Sequence, residues 1–135
     1  MPVTVEWDNA EKTIIRMAMA GHWTWDEAYA AFADGDRMLD GVNHRVGVII
    51  DLRESKGVPP AALANARKMS EKQHPRAGMT VFVGANAFFL SLWSVFSKVY
   101  TLFVRKHTFT FAATIEQARE ILARNVPAGQ GDKPA

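Results

Sequence analysis

The sequence contains no cysteine. Disulfides, thiolate nucleophiles and thiolate metal sites are therefore excluded, and packing alone must hold the chain together. Net charge is also scarce: 16 basic against 14 acidic residues leave +2, too little for the footprint of a nucleic-acid binder. A membrane span needs about 20 apolar residues with few or no charges. The most apolar stretch, 85–104, is interrupted by Ser91, Ser94, Ser97, Lys98 and Thr101, so no stable membrane insertion is expected. The opening residues MPVTVEWDN lack the basic and apolar regions of a secretory signal. These absences predict a soluble, cytoplasmic protein.

Catalytic signatures are missing as well. No Walker A, G-x-G-x-x-G or H-E-x-x-H pattern occurs, and no G-x-S-x-G elbow. The four imidazoles, His22, His44, His74 and His107, have no close metal-ligand spacing, so neither metal nor cofactor is expected.

What is present is a chain of 135 residues, the size of one domain. The domain is expected over 1–126, with 127–135, rich in Pro, Gly and Lys, as a flexible tail. Charge is unevenly placed. Residues 1–40 hold eight acids and three bases, a net −5, so the remainder carries +7. Two solvated surfaces of opposite sign account for this, and such asymmetry also steers charged partners.

Hydrophobic periodicity assigns the elements. Val3, Val5 and Trp7 alternate as a strand, Asp8-Asn9 turns the chain, and 12–20 forms the second arm of a hairpin. Thr24 and Glu27 make a T-x-x-E capping box, followed by a helical stripe of Trp25, Ala28, Phe32 and Leu39 that Gly41 ends. Residues 45–51, RVGVIID, suit a central strand buried on both faces. After a loop over 52–58, Pro59-Pro60 is expected to open a helix with Ala62, Ala66 and Met69 inside, ending near His74-Pro75. Residues 79–83 form a strand that Gly84 breaks; Asn86 caps a long helix reaching about Val104. A last strand over 107–111 leads into a T-x-x-Q box, Thr114 to Gln117, and a helix with Ala118, Ile121 and Leu122 inside. The order β-β-α-β-α-β-α-β-α predicts an α/β layer fold: one mixed five-stranded sheet with four helices.

Three positions attract attention. Asp51 ends the central strand, at the carboxyl edge where α/β sheets place ligands, with Ser55 and Lys56 in the loop behind it. An Asp there can equally cap its own turn, and Ser55 as a nucleophile would need a base that no motif supplies. Gly84-Ala85-Asn86 is a single-glycine turn, short of a phosphate loop. Arg67, Lys68, Lys72 and Arg76 read as a solvated helix face, with binding of phosphate or of an acidic partner as the alternative.

The layout resembles the STAS family, the sulphate-transporter and anti-sigma-factor-antagonist domains of SpoIIAA-like fold. The resemblance spans Val3 to Arg124 and rests on the opening hairpin, on VGVIID at 46–51 with the loop and helix after it, and on FTFAATIEQAREIL at 109–122. It implies a SpoIIAA-like sheet and a regulatory role. Many bacterial members carry an Asp-Ser-Ser-Gly segment whose serine is phosphorylated by a partner kinase. Here that region reads LRESKGVPPAAL, 52–63, with Ser55 as its only hydroxyl and prolines near the phosphosite position. The chain therefore looks like a divergent member that lacks the phospho-switch.

The long helix carries the strongest remaining signal. At about 100° per residue its apolar arc covers roughly 200°, twice what one packing face needs. The stripe Leu92, Phe96, Val99 and Phe103 is expected to face the sheet, leaving Phe89, Trp93 and Tyr100 to be covered by neighbouring elements or by an outside partner. The expected function is a non-enzymatic binding or regulatory module. It engages a protein partner, a second copy included, through Phe89, Trp93, Phe96 and Tyr100 and the loop bearing Asp51, Ser55 and Lys56. The alternative is a carrier or sensor of a small apolar ligand held under Trp93 and Phe96.

Overall fold

The computed structural model describes residues 2–71, 74–86, 90, 91, 93–95, 98 and 109–125, without the side chains of 66, 69–71, 109 and 125. One sheet runs in the order β1-β2-β3-β4-β5. Its strands are β1 (Val3–Trp7), β2 (Ile14–Met19), β3 (Val46–Asp51), β4 (Ala77–Val83) and β5 (Phe109–Ala112). The hairpin pair β1–β2 is antiparallel and every later pair is parallel. The helices are α1 (Trp25–Asp40) and α2 (Ala62–Glu71); helical residues 90, 91, 93–95 and 98, here α3; and α4 (Ile115–Asn125). The fold is the expected mixed five-stranded sheet with four helices, with β3 at its centre.

Alternation along the strands sorts the side chains onto two faces. One cross-strand row reads Val5, Met17, Ile50, Phe82, Phe111. The main cluster on that face joins Met17, Met19 and Ile50 to Ala28 and Ala31 of α1. The adjacent row reads Glu6, Arg16, Ile49, Val81, Thr110 on the opposite face. There Ile49, Val81 and Val83 pack against Ile115, Ala118 and Leu122 of α4. Glu6 and Arg16, at the hairpin end of the row, form an exposed ion pair. Gly47 lets α4 come close: a Cβ at that position would lie 2.9 Å from the Leu122 side chain, which is fully buried.

The capping box of α1 is present in full, with Glu27 N–H donating to Thr24 Oγ1 and Thr24 N–H to Glu27 Oε1. Gly41 ends α1 as expected, at an ordinary φ of −84°. The start of α2 departs from expectation. Pro59 and Pro60 precede the helix instead of opening it, because Ala61 stands between them and α2 at a left-handed φ of 65°. The described part of α2 runs to Glu71, and His74 lies outside the helix. The T-x-x-Q box is displaced by one residue: Gln117 Oε1 accepts from Ala113 N–H, while Gln117 N–H donates to Thr114 Oγ1. Leu90 N–H donates to the Asn86 carbonyl, the backbone bond of an N-cap. Residues 127–135, expected as a tail, lie outside the described residues.

Candidate functional site

The carboxyl end of the sheet is built from three turns: 20–24 after β2, 52–60 after β3, and 84–86 after β4. Asp51 closes β3 and turns the chain with its own side chain. Its Oδ1 accepts from the Arg53 backbone N–H at 3.0 Å and from Arg53 Nε at 2.9 Å, and its Oδ2 accepts from Arg53 Nη2 at 2.9 Å. Burial disfavours the charged carboxylate, yet the bonds from Arg53, helped by Arg16, outweigh it and hold the Asp51 carboxyl below its ordinary value. The capping role expected for Asp51 is the one it performs. Gly84 is more than a breaker: at its φ of 77° a Cβ would lie 2.6 Å from the Arg53 side chain and 3.1 Å from its backbone, so only glycine lets the two turns touch.

Ser55 sits in the same turn. Its Oγ accepts from Trp23 Nε1 at 2.8 Å and donates to the Gly57 carbonyl at 2.8 Å. Backbone bonds reinforce this link: Gly21 N–H donates to Glu54 O at 2.7 Å, and Lys56 N–H to Gly21 O at 2.9 Å. The serine therefore fastens the turn after β3 to the turn after β2. Its hydroxyl is engaged by an indole and a carbonyl, partners that supply no general base. Trp23 is only 5% exposed, and its ring meets Trp25 edge-on, centroids 5.0 Å apart. Trp25 Nε1 donates to the Pro60 carbonyl at 2.7 Å, and Tyr29 Oη to Asn65 Oδ1 at 2.5 Å. The two turns enclose an open groove of about 470 Å³ lined by Trp23, Trp25, Val58, Pro59 and Pro60, with Lys56 and His22 exposed at its rim.

Sequence reasoning placed Trp93 on a flank in need of cover. The sheet supplies that cover. Trp93 meets Phe111 edge-on at 5.8 Å and Phe82 at 6.0 Å, and Phe82 stacks on Phe111 at 5.6 Å. Three rings pack together at Trp93, beneath which the alternative reading places a small apolar ligand. The polar face appears as expected, with Ser91, Ser94 and Lys98 exposed. Leu90 and Val95, 44% and 46% exposed, stand on either border of it. Phe89, Phe96 and Tyr100 lie outside the described residues, as do His107 and Lys72.

Two polar links at the opposite end of the sheet left no local signal in the sequence. Asp8, its side chain 2% exposed, receives Arg119 Nε on Oδ2 at 2.8 Å and Arg119 Nη2 on Oδ1 at 2.9 Å. His74 Nδ1 accepts from Arg76 N–H at 3.0 Å, so Nε2 carries the ring proton and donates to Asp40 Oδ1 at 2.8 Å. Burial, reinforced by the Asp40 charge, pushes the nearby Asp36 carboxyl above its ordinary value. Among the described residues no cluster of three or more His, Asp or Glu has the arrangement of a metal site, and no helix is long and apolar enough to cross a membrane.

No protein-family profile matches the chain, and no curated protein matches it. Among solved structures it is similar to an uncharacterized protein of the DUF3478 family with a SpoIIAA-like fold, from Shewanella loihica PV-4. The two share 17% identity and a TM-score of 0.62, over 89% of this chain and 91% of the other. The chain thus has the SpoIIAA-like fold that the sequence layout implied.

Proposed function

We propose that the protein is a non-enzymatic binding module of regulatory type, engaging a protein partner, in the simplest case a second copy of itself. One observation carries this reading: the two large hydrophobic side chains most exposed among the described residues, Leu90 and Val95, both lie on α3. Exposed apolar side chains on one element are what an interface uses. The contact proposed is therefore the exposed face of α3 between Leu90 and Val95, with the loop bearing Asp51, Ser55 and Lys56 as the second element. Trp93 supports that surface from behind, and Phe89, Phe96 and Tyr100 are proposed as its remaining contributors. The hydroxyl and carboxylate a hydrolase would use, Ser55 and Asp51, are both committed to holding turns. Sedimentation velocity across a hundredfold concentration range tests the reading. A concentration-dependent dimer that Leu90→Asp with Val95→Asp abolishes, without loss of helical signal, supports it. A monomer throughout removes self-association.

A second reading, carriage of a small ligand, is favoured by the groove between Trp25 and Pro59. It moves the ligand from beneath Trp93 to the carboxyl end of β2 and β3.

A further inference from the structure

The groove between the turns after β2 and β3 has a volume of about 470 Å³, within the range of small-molecule sites. Its chemistry follows from which groups are already spent. Trp23 Nε1 is bonded to Ser55 Oγ and Trp25 Nε1 to Pro60 O. The Gly57 carbonyl accepts from Ser55. An occupant of the groove therefore meets indole carbon, Val58 and proline rings, and few free polar groups. The charge at the rim has one sign. Lys56 is exposed and makes no ion pair among the described residues, His22 stands beside it, and no lining residue carries a carboxylate. Of the two acids in the first turn of α1, Glu27 is turned back onto Thr24 N–H at 2.8 Å, and Asp26 is exposed outside the lining. The frame is also strained. Ala61 is held at φ 65° directly behind Pro60, a left-handed conformation that an L-residue adopts at a cost. Such strain persists where the surroundings impose it, often around ligand sites.

We propose that this groove binds a small organic anion with a flat apolar body. The body lies against Trp25 and the prolines, and the anionic group pairs with the Lys56 ammonium. The inference sharpens the small-ligand reading and does not depend on the partner surface of α3.

Two dyes with the same aryl body test it: anilinonaphthalene sulfonate, which is anionic, and phenylnaphthylamine, which is neutral. Binding to the folded protein is read by energy transfer from tryptophan. Both dyes are expected to bind, the anionic one more tightly. Lys56→Met weakens the anionic dye about fivefold and leaves the neutral dye unchanged, while Lys68→Met affects neither. Trp25→Leu weakens both; a melting curve shows whether that variant remains folded, and the Lys56 comparison stands without it. If Lys56→Met leaves the anionic dye unaffected, the assignment of an anion is overturned. If neither dye binds the folded protein, the groove is no ligand site, and the small-ligand reading falls with it.

Discussion

The two ends of the parallel sheet use the same kind of bond to different ends. At the amino end, Arg119 of α4 reaches Asp8 beyond β1, and His74 ahead of β4 reaches Asp40 at the end of α1. Each link ties two elements together through ionisable groups. At the carboxyl end, Ser55 ties two turns through a neutral hydroxyl and an indole, and Trp25 ties itself to Pro60. Those turns, joined by these bonds, form the walls of a groove. The same device, a side chain bonded across elements, staples one end and frames a space at the other. A polar residue at a carboxyl edge is therefore not by itself a reactive one.

The comparison can be broken at its strongest point first. Arg119→Ala leaves the buried Asp8 carboxylate with only the longer contact to Arg16, 3.7 Å away. Stability is expected to fall by about 2 kcal/mol, discounted for the exposure of the arginine, as read by urea denaturation. Next, Ser55→Ala leaves the buried Trp23 N–H without its acceptor, at a cost of about 1–2 kcal/mol. A loss as large as that of Arg119→Ala would mean that the carboxyl end is the main staple after all.

The Asp51–Arg53 pair gives a smaller, pH-dependent effect. Its folded carboxyl lies below the ordinary value of 3.8, so the unfolded chain takes up the proton first as pH falls. The pair's contribution is complete above that ordinary value and is lost as pH falls through the folded value. Arg53→Met should flatten the loss of melting temperature below about pH 4. A variant that tracks the wild type in this range would deny the pair its role. Smallest of all, Leu90→Asp with Val95→Asp should change stability by under about 0.5 kcal/mol per site, since both side chains face solvent; a larger loss would place them in the core.

Local rules made much of the frame legible. The period of two at Val3, Val5 and Trp7 marks β1 to the residue, and Thr24 with Glu27 marks the start of α1. Where a reading failed, a distant contact or an unusual backbone was responsible. Pro59-Pro60 signals a helix start, but Ala61 at a left-handed φ delays it. Trp93 on a wheel points to a flank, and only the register that places Phe82 beside Phe111 shows what covers it. Ser55 looked like a loop hydroxyl because its partner Trp23 lies 32 positions away, and Asp8 and Arg119 are separated by 111. Gly47, inside a strand, is the local sign of a close approach, here that of the Leu122 side chain.

The claim that Ser55 frames the groove is tested most directly by the indole N–H resonances of Trp23 and Trp25. The account predicts that the Trp23 indole proton exchanges slowly with solvent in the wild type and rapidly in Ser55→Ala, while Trp25, bonded to Pro60, is unchanged. A Trp23 indole that exchanges equally fast in both proteins would contradict it.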